Sequence, residues 1–228
     1  MKISLVIPAC NEEKRIGKTL KRIKKFKANE IIVVSNGSDR TAEIVRDFKK
    51  KDSRIRLLDF DTPLGKGGAL IEGLKKARFN VVVYDADGST PLEEIKKMKK
   101  KLEQGFDFVI GSRNLPESRV ERSFAREVNS RFFNSLARLL LKIPYRDTQC
   151  GFKAFNSKTA KVLAKETSYK GWTWDLDALM IAKKNKLKVA EIPIKWTHKK
   201  TDNWRGFKKL QLLKMLKELV KISLEDKN

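Results

Sequence analysis

Asn80-Val81-Val82-Val83-Tyr84, followed at once by Asp85-Ala86-Asp87-Gly88, decides the fold of this chain. The first run is short, uncharged and rich in β-branched residues, so it reads as a buried strand. The quartet then puts two carboxylates two residues apart where that strand runs out into a loop. In an α/β sheet this carboxyl edge is where ligands bind. Paired carboxylates there suit a hard cation, Mg²⁺ or Mn²⁺, that bridges substrate phosphates. An isolated Asp-x-Asp is more often a solvated turn, because Asp and Gly both favour bends. The strand in front of it and the motifs around it favour the site.

Working outward, strands are predicted at Ile3–Pro8, Glu30–Ser35, Arg54–Asp59 and Phe106–Gly111 besides Asn80–Tyr84. Helices are predicted between them at Glu12–Phe26, Thr41–Lys50, Lys66–Ala77 and Leu92–Gln104. Strands alternating with helices of this length imply right-handed βαβ units and a mostly parallel sheet. The fold class is therefore α/β. Beyond it, Arg119–Lys142 reads as one long basic helical region and Phe152–Phe155 as a strand. Ser157–Lys165 and Asp175–Lys186 read as helices and Lys188–Trp196 as a strand. No repeat or low-complexity linker divides the chain.

The 228 residues suffice for a sizeable core. No apolar run approaches the roughly 20 residues of a spanning helix, and Met1–Pro8 reads as a first strand rather than a signal peptide. Cys10 and Cys150 sit among motifs, which points to a reducing cytoplasm. Lys and Arg number 52 against 28 Asp and Glu, a net charge of +24. Such a surface is either plain solvation, of the lysine-rich kind seen in thermophiles, or an attraction for anionic membrane. Nucleic acid is the least favoured partner, since no nucleic-acid-binding motif accompanies the charge.

Each strand end carries polar residues. Val6-Ile7-Pro8-Ala9-Cys10-Asn11-Glu12-Glu13 closes the first strand; its polar residues suit a ligand at the sheet edge or ordinary helix entry. Ser35-Asn36-Gly37-Ser38-Asp39 closes the second with a tight turn that frees backbone amides. In Gly65-Lys66-Gly67-Gly68-Ala69 the glycines allow close backbone approach, Lys66 adds charge and the helix start attracts an anion. It is neither a P-loop nor a dinucleotide fingerprint. Gly111-Ser112-Arg113 follows the fifth strand, and Arg126 and Ser130 lie one helical turn apart. Arginine forks suit phosphate oxygens. The lone His198 excludes a His-pair zinc site; it is a polar strand end or a third metal or pyrophosphate contact. Trp172, Trp174, Trp196 and Trp204 bracket Asp175 and Asp177, as core or as the wall of a sugar and lipid site.

Taken in order, these motifs resemble the inverting glycosyltransferases of family 2, which have the GT-A fold, a Rossmann-like sheet flanked by helices. The polyprenyl-phosphate branch is the most similar. The likeness runs from Val6-Ile7-Pro8 to Trp196-Thr197, and Arg146-Asp147-Thr148-Gln149-Cys150-Gly151-Phe152-Lys153 is its most specific segment. The resemblance implies a hexose donor in the form of a nucleoside diphosphate sugar and a polyprenyl phosphate acceptor. Pro8, Ala9, Cys10, Glu12, Ser35, Asn36, Lys66 and Ala86 would line the donor site, with Asp85 and Asp87 on the metal and diphosphate. Asp87, Lys66 and Arg113 would be catalytic. Arg113, Arg126 and Ser130 would grip the acceptor phosphate, with Gln149 and Asp175 beside it. For a hydroxyl acceptor, Asp175 or Asp177 would be the base. One departure stands out: Ser35-Asn36 replaces the family's usual Asp-Asp, leaving Asn36 and Asp39 to contact base or ribose.

The resemblance divides a single catalytic domain over 1–205 into a donor half, about 1–112, and an acceptor half, 113–205. Within 206–228, Phe207–Leu224 sets leucines at helical spacing among lysines. Such a helix lies on a membrane or packs on the domain. The expected location is cytoplasmic, peripheral to the membrane.

Overall fold

The chain is described by a computed structural model covering residues 1–199 and 209–225. Its first half is a run of βα units: β1 (Ile3–Ala9), α1 (Ile16–Ile23), β2 (Glu30–Ser35), α2 (Thr41–Lys49), β3 (Ile55–Asp59), α3 (Gly65–Lys76), β4 (Asn80–Val83), α4 (Glu94–Glu103) and β5 (Phe108–Ser112). The second half adds β6 (Arg119–Glu121), α5 (Phe124–Leu141), β7 (Lys153–Phe155), α6 (Ser157–Glu166), α7 (Trp174–Lys184), β8 (Val189–Pro193), β9 (Lys195–Thr197) and α8 (Lys209–Glu225).

Seven strands form one sheet in the order β3-β2-β1-β4-β7-β5-β8. All its pairings are parallel except those of β7, which runs antiparallel to both β4 and β5. Strand order turns outward in both directions from β1 and β4, so a crevice opens at their carboxyl ends. Both faces of the sheet are covered. Val6, Ile32, Val34, Val81 and Val83 point into one core with α3, α5, α6, α7 and α8. Leu5, Ile7, Ile31, Val33 and Val82 point into the other with α1, α2 and α4. This period of two, apolar on both sides, is what makes the strands read as continuous hydrophobic runs.

Two segments differ from the sequence expectation. Arg119–Lys142 is not one helix: Val120 pairs with Trp196 in a two-stranded sheet of β6 and β9, and α5 starts only after the extended Ser123. Nor is Lys188–Trp196 one strand. It leaves the main sheet after Pro193, which has no N–H to donate, and re-pairs with β6 from Lys195. Long-range pairing overrides local propensity in both cases.

The C-terminal helix packs on the domain. Met215, Leu219 and Ile222 are buried in the α5 and α7 core, while Leu213, Val220 and Leu224 face outward. Residues 200–208 and 226–228 lie outside the described residues, so Trp204 and the start of the expected Phe207–Leu224 helix are not placed.

Candidate active site

Parallel strands deliver their carboxyl ends to one edge of the sheet, and that is how the motifs meet. The ends of β1 (Pro8, Ala9, Cys10), β2 (Ser35, Asn36), β4 (Asp85, Ala86, Asp87) and β5 (Arg113) converge there. Because β7 is reversed, its amino-terminal end reaches the same edge and brings Asp147–Phe152 with it. The loop after β4 is closed by Gly88 N–H on Asp85 O (3.1 Å) and Ser89 N–H on Asp87 Oδ1 (2.8 Å). Gly88 has φ +64°, a conformation open to glycine. Gly151 lies against the Asp85 carboxylate: a methyl there would stand 2.5 Å from Asp85 Oδ1. Burial raises the Asp85 pKa, as do the Asp87 and Asp175 charges, while Lys66 and Arg113 pull against them.

Beneath this edge runs a chain of buried charges. Asp175, at the start of α7, lies between Lys66 Nζ (3.1 Å) and Lys153 Nζ (2.7 Å). Lys153 is wholly buried and also donates to the carbonyls of Thr148 (3.3 Å) and Cys150. Burial disfavours the Asp175 charge, but the two ammonium groups outweigh it and hold its pKa below the ordinary value. Lys66 stays charged in turn, its pKa raised by Asp175 and Asp85 against the cost of burial. Its ammonium lies 5.5 Å from the Trp172 ring centre. Asp177 accepts Ser168 N–H (2.8 Å) and Tyr169 N–H (3.1 Å), so it anchors the loop before α7. The two lysines make Asp175 a poor base, whereas burial raises the Asp177 pKa while its Oδ2 holds the two loop amides.

Arg113 is bound to Asp147 twice, Nε at 2.7 Å and Nη2 at 2.9 Å, and lies 5.4 Å from the centre of Trp196. Asp147 and Thr148 are fully buried. Thr148 N–H and Oγ1 both donate to Asn134 Oδ1, at 2.7 and 2.8 Å, and Asn134 Nδ2 donates to Ser130 O at 2.9 Å. This ties α5 to the loop before β7 and fixes Ser130. Gln149 points a buried, unpartnered Nε2 from the same loop. Arg126 occupies the first turn of α5, and its side chain lies outside the described ones.

On the donor side, Glu12 has its pKa pushed up to about 7, chiefly by burial, with Arg15 opposing and Asp87 and Asp85 adding to the rise. Cys10 is exposed, with Sγ 3.7 Å from Asn36 O. The Asn36 amide is oriented so that Nδ2 donates to Ala9 O (3.2 Å) and Oδ1 accepts from Leu64 N–H (3.1 Å). Asp39 accepts Glu13 N–H (3.0 Å) and Thr41 N–H (2.9 Å), so it caps the loops at the end of β2 and the start of α2. The glycines in the first turn of α3 also serve the protein itself. Gly68 N–H donates to Lys170 O (3.1 Å), and a methyl at Gly67 would meet Trp174 Cβ and Tyr169 O at 2.6 Å. The loop Tyr169–Gly171 thus covers the helix start that the sequence offered to an anion. His198 stacks on Trp196, and neighbouring Thr197 N–H donates to Ser89 O (3.0 Å), so the end of β9 borders the loop after Asp87.

Sequence reasoning missed Asp147, Lys153 and Asn134 as structural partners of the site. Only the unbroken run Arg146–Lys153 signalled the first two, and nothing in the sequence marked Asn134. Among the described residues, no group of three or more His, Cys, Asp and Glu is arranged to hold a metal. Asp85 and Asp87 are two hard oxygen donors on one loop, which fits a Mg²⁺ or Mn²⁺ ion that completes its shell with phosphate oxygens and water.

Comparison with known proteins agrees with this geometry. A family model described as glycosyl transferase family 2 matches residues 4–163. Glycosyltransferase AglD of Haloferax volcanii is 35% identical over 87% of this chain and 34% of its own length. A dolichyl-phosphate beta-glucosyltransferase of Trichomonas vaginalis, ALG5D, is 36% identical over 85% of this chain and 65% of its own. The chain therefore spans about a third and just under two thirds of these two relatives. Among solved structures, glucosyl-3-phosphoglycerate synthase of Mycobacterium tuberculosis, crystallised with Mn²⁺, UDP and glucosyl-3-phosphoglycerate, superposes with a TM-score of 0.70. It is 20% identical and covers 99% of this chain and 79% of its own. A three-layer α/β sheet, paired carboxylates after β4 and a family match over residues 4–163 make this chain a member of glycosyl transferase family 2 with the GT-A fold.

Proposed function

We propose that this protein is an inverting hexosyltransferase that moves glucose or mannose from a nucleoside diphosphate sugar to a polyprenyl phosphate. The observation that carries the acceptor class is Asp175 held between Lys66 and Lys153. A hydroxyl acceptor needs a base, and a carboxylate whose pKa is depressed by two ammonium groups is a poor one. A phosphate monoester is already ionised near neutral pH and needs none. The dolichyl-phosphate glucosyltransferases among the relatives favour glucose.

In this reading one phosphate oxygen attacks the anomeric carbon in line with the departing nucleoside diphosphate, and the configuration inverts. Asp85 and Asp87 would hold Mg²⁺ or Mn²⁺, which would supply positive charge to the departing diphosphate. Lys66 adds a fixed cation at the same edge. Glu12, Pro8, Ala9, Cys10, Ser35 and Ala86 flank the donor; Asn36 shapes that wall through Ala9 and Leu64. Arg113, Arg126, Ser130 and Gln149 orient the acceptor, which converts a two-body encounter into a positioned one.

A polyprenyl acceptor lives in a membrane, and two helices offer a face for it. No helix of the described residues is long and apolar enough to cross a membrane. Yet Val128, Phe132 and Leu139 form one exposed stripe on α5, flanked by Arg131 and Arg138, and α8 exposes Leu213, Val220 and Leu224. Apolar stripes edged by basic residues suit an anionic lipid interface.

The test is transfer by the full chain from a panel of nucleoside diphosphate hexoses to a polyprenyl phosphate in anionic vesicles, with Mn²⁺ or Mg²⁺. One donor should give a lipid-linked hexose, and chelation should abolish it. Transfer to sugar hydroxyls alone, or vesicle or nucleic-acid binding without turnover, would overturn the reading. Gly151→Ala should spare the helical circular dichroism but cut the Mn²⁺-induced rise in melting temperature by at least about half. Its methyl displaces the Asp85 carboxylate, and ligand-linked stabilisation falls with affinity.

A further inference from the structure

Arg122 lies outside every motif considered so far, in the short link between β6 and α5. Its Nη2 donates to Asn114 Oδ1 at 3.0 Å, and its Nε is buried with no hydrogen-bond partner. Asn114 cannot turn its amide over without loss, because its Nδ2 donates to Arg146 O at 3.0 Å. The arginine head is therefore held in place by a neutral oxygen rather than by a carboxylate.

The surrounding charges do not compensate it. Arg113 and Arg131 repel Arg122, while Glu127 and Asp147 attract it. Both acids are already engaged: Asp147 accepts three hydrogen bonds from Arg113, and Glu127 pairs with Arg131 at 2.6 Å. Burial and the Arg113 charge leave the Arg122 guanidinium less favourable than an ordinary one, with its pKa lowered. A partly buried guanidinium with spare donors, in the field of a second guanidinium, is costly unless an anion offsets the charge. Forked N–H groups match the oxygens of a phosphate monoester, and a dianion would suit two cations.

We propose that Arg122 and Arg113 together clamp the phosphate monoester of the acceptor, with Asn114 as the residue that aims Arg122. The clamp rests on the polyprenyl phosphate reading above. It adds a binding residue that the Gly-Ser-Arg motif and the Arg126–Ser130 pair do not include. The same chemistry is offered by a lipid-borne phosphate, by free phosphate and by the donor diphosphate, so the experiment separates the three.

Steady-state kinetics of the full chain and of Arg122→Gln, Arg122→Lys and Asn114→Asp, varying donor and polyprenyl phosphate separately, test the clamp. Loss of one charged hydrogen-bonding group should raise the acceptor KM in Arg122→Gln by about 10- to 100-fold. The donor KM should stay within about twofold in the same variant, and Arg122→Lys should recover part of the loss. Asn114→Asp neutralises Arg122 without removing it and should raise the acceptor KM by about tenfold. Inorganic phosphate should compete with the acceptor in the parent protein and more weakly in Arg122→Gln. The melting temperature of Arg122→Gln should equal or exceed that of the parent, because a repelled cation is gone. An unchanged acceptor KM in Arg122→Gln and Asn114→Asp, or a donor KM that moves as much, overturns the clamp while leaving the function standing. A parent protein that uses no polyprenyl phosphate overturns both.

Discussion

Asp87→Asn is expected to abolish hexose transfer, by at least about 100-fold in kcat, while the protein stays folded. The side chain is partly exposed at the sheet edge, and its structural task is one hydrogen bond from Ser89 N–H to Oδ1 at 2.8 Å. An asparagine oxygen accepts that bond equally well, so the turn closed by Gly88 survives. What changes is charge: one of the two carboxylates that would face a divalent cation in the proposed reaction becomes a neutral amide. Two readouts separate the roles. Circular dichroism and the melting temperature without metal should match the parent. Mn²⁺ should no longer raise the melting temperature in the presence of nucleoside diphosphate, since linkage stabilisation needs binding. Retained turnover that still requires metal would show that the cation is held elsewhere.

Lys153→Met is expected to cause the largest loss of stability, about 3–5 kcal/mol. The side chain is fully buried and its ammonium meets Asp175 at 2.7 Å and two backbone carbonyls. Methionine fills similar volume but leaves those oxygens unpaired and Asp175 with Lys66 alone. Removing one member of a buried ion cluster is far more damaging than replacing the whole cluster. For a chain of 228 residues the melting temperature should fall by about 10 °C. Adding Asp175→Asn should recover a good part of it, because a neutral amide keeps a hydrogen bond to Lys66 without an uncompensated charge. A double variant no more stable than Lys153→Met would mean that the carbonyls of Thr148 and Cys150, not Asp175, are what Lys153 satisfies.

The location of the candidate site was legible because its signals are local. A β-branched run ending in Asp-x-Asp-Gly needs nothing distant to be recognised as a strand end, and parallel strands place all such ends on one edge. The strands from β1 to β4 were readable to within a residue or so for the same reason. The resemblance added the Arg146–Lys153 run and the residues on α5 that we propose bind the acceptor. The C-terminal helix was readable as amphipathic but not in its attachment. Its burial of Met215, Leu219 and Ile222 depends on α5 and α7 presenting a complementary face.

By itself the sequence determined the alternation of strands and helices, the carboxylates after β4 and the positive surface, because periodicity, turn chemistry and charge act over a few residues. The tertiary structure alone decided that β7 enters the sheet reversed and so carries Asp147 and Gly151 to the carboxyl edge. It alone turned the glycines at the start of α3 into a seat for Tyr169–Gly171, and set Arg122 in the field of Arg113. It also decided the fate of Asp175, whose bond to Lys66 spans 109 residues of chain. Contacts of that separation leave no periodic trace along the sequence; they form when packing removes water from charged groups and obliges each to find a partner.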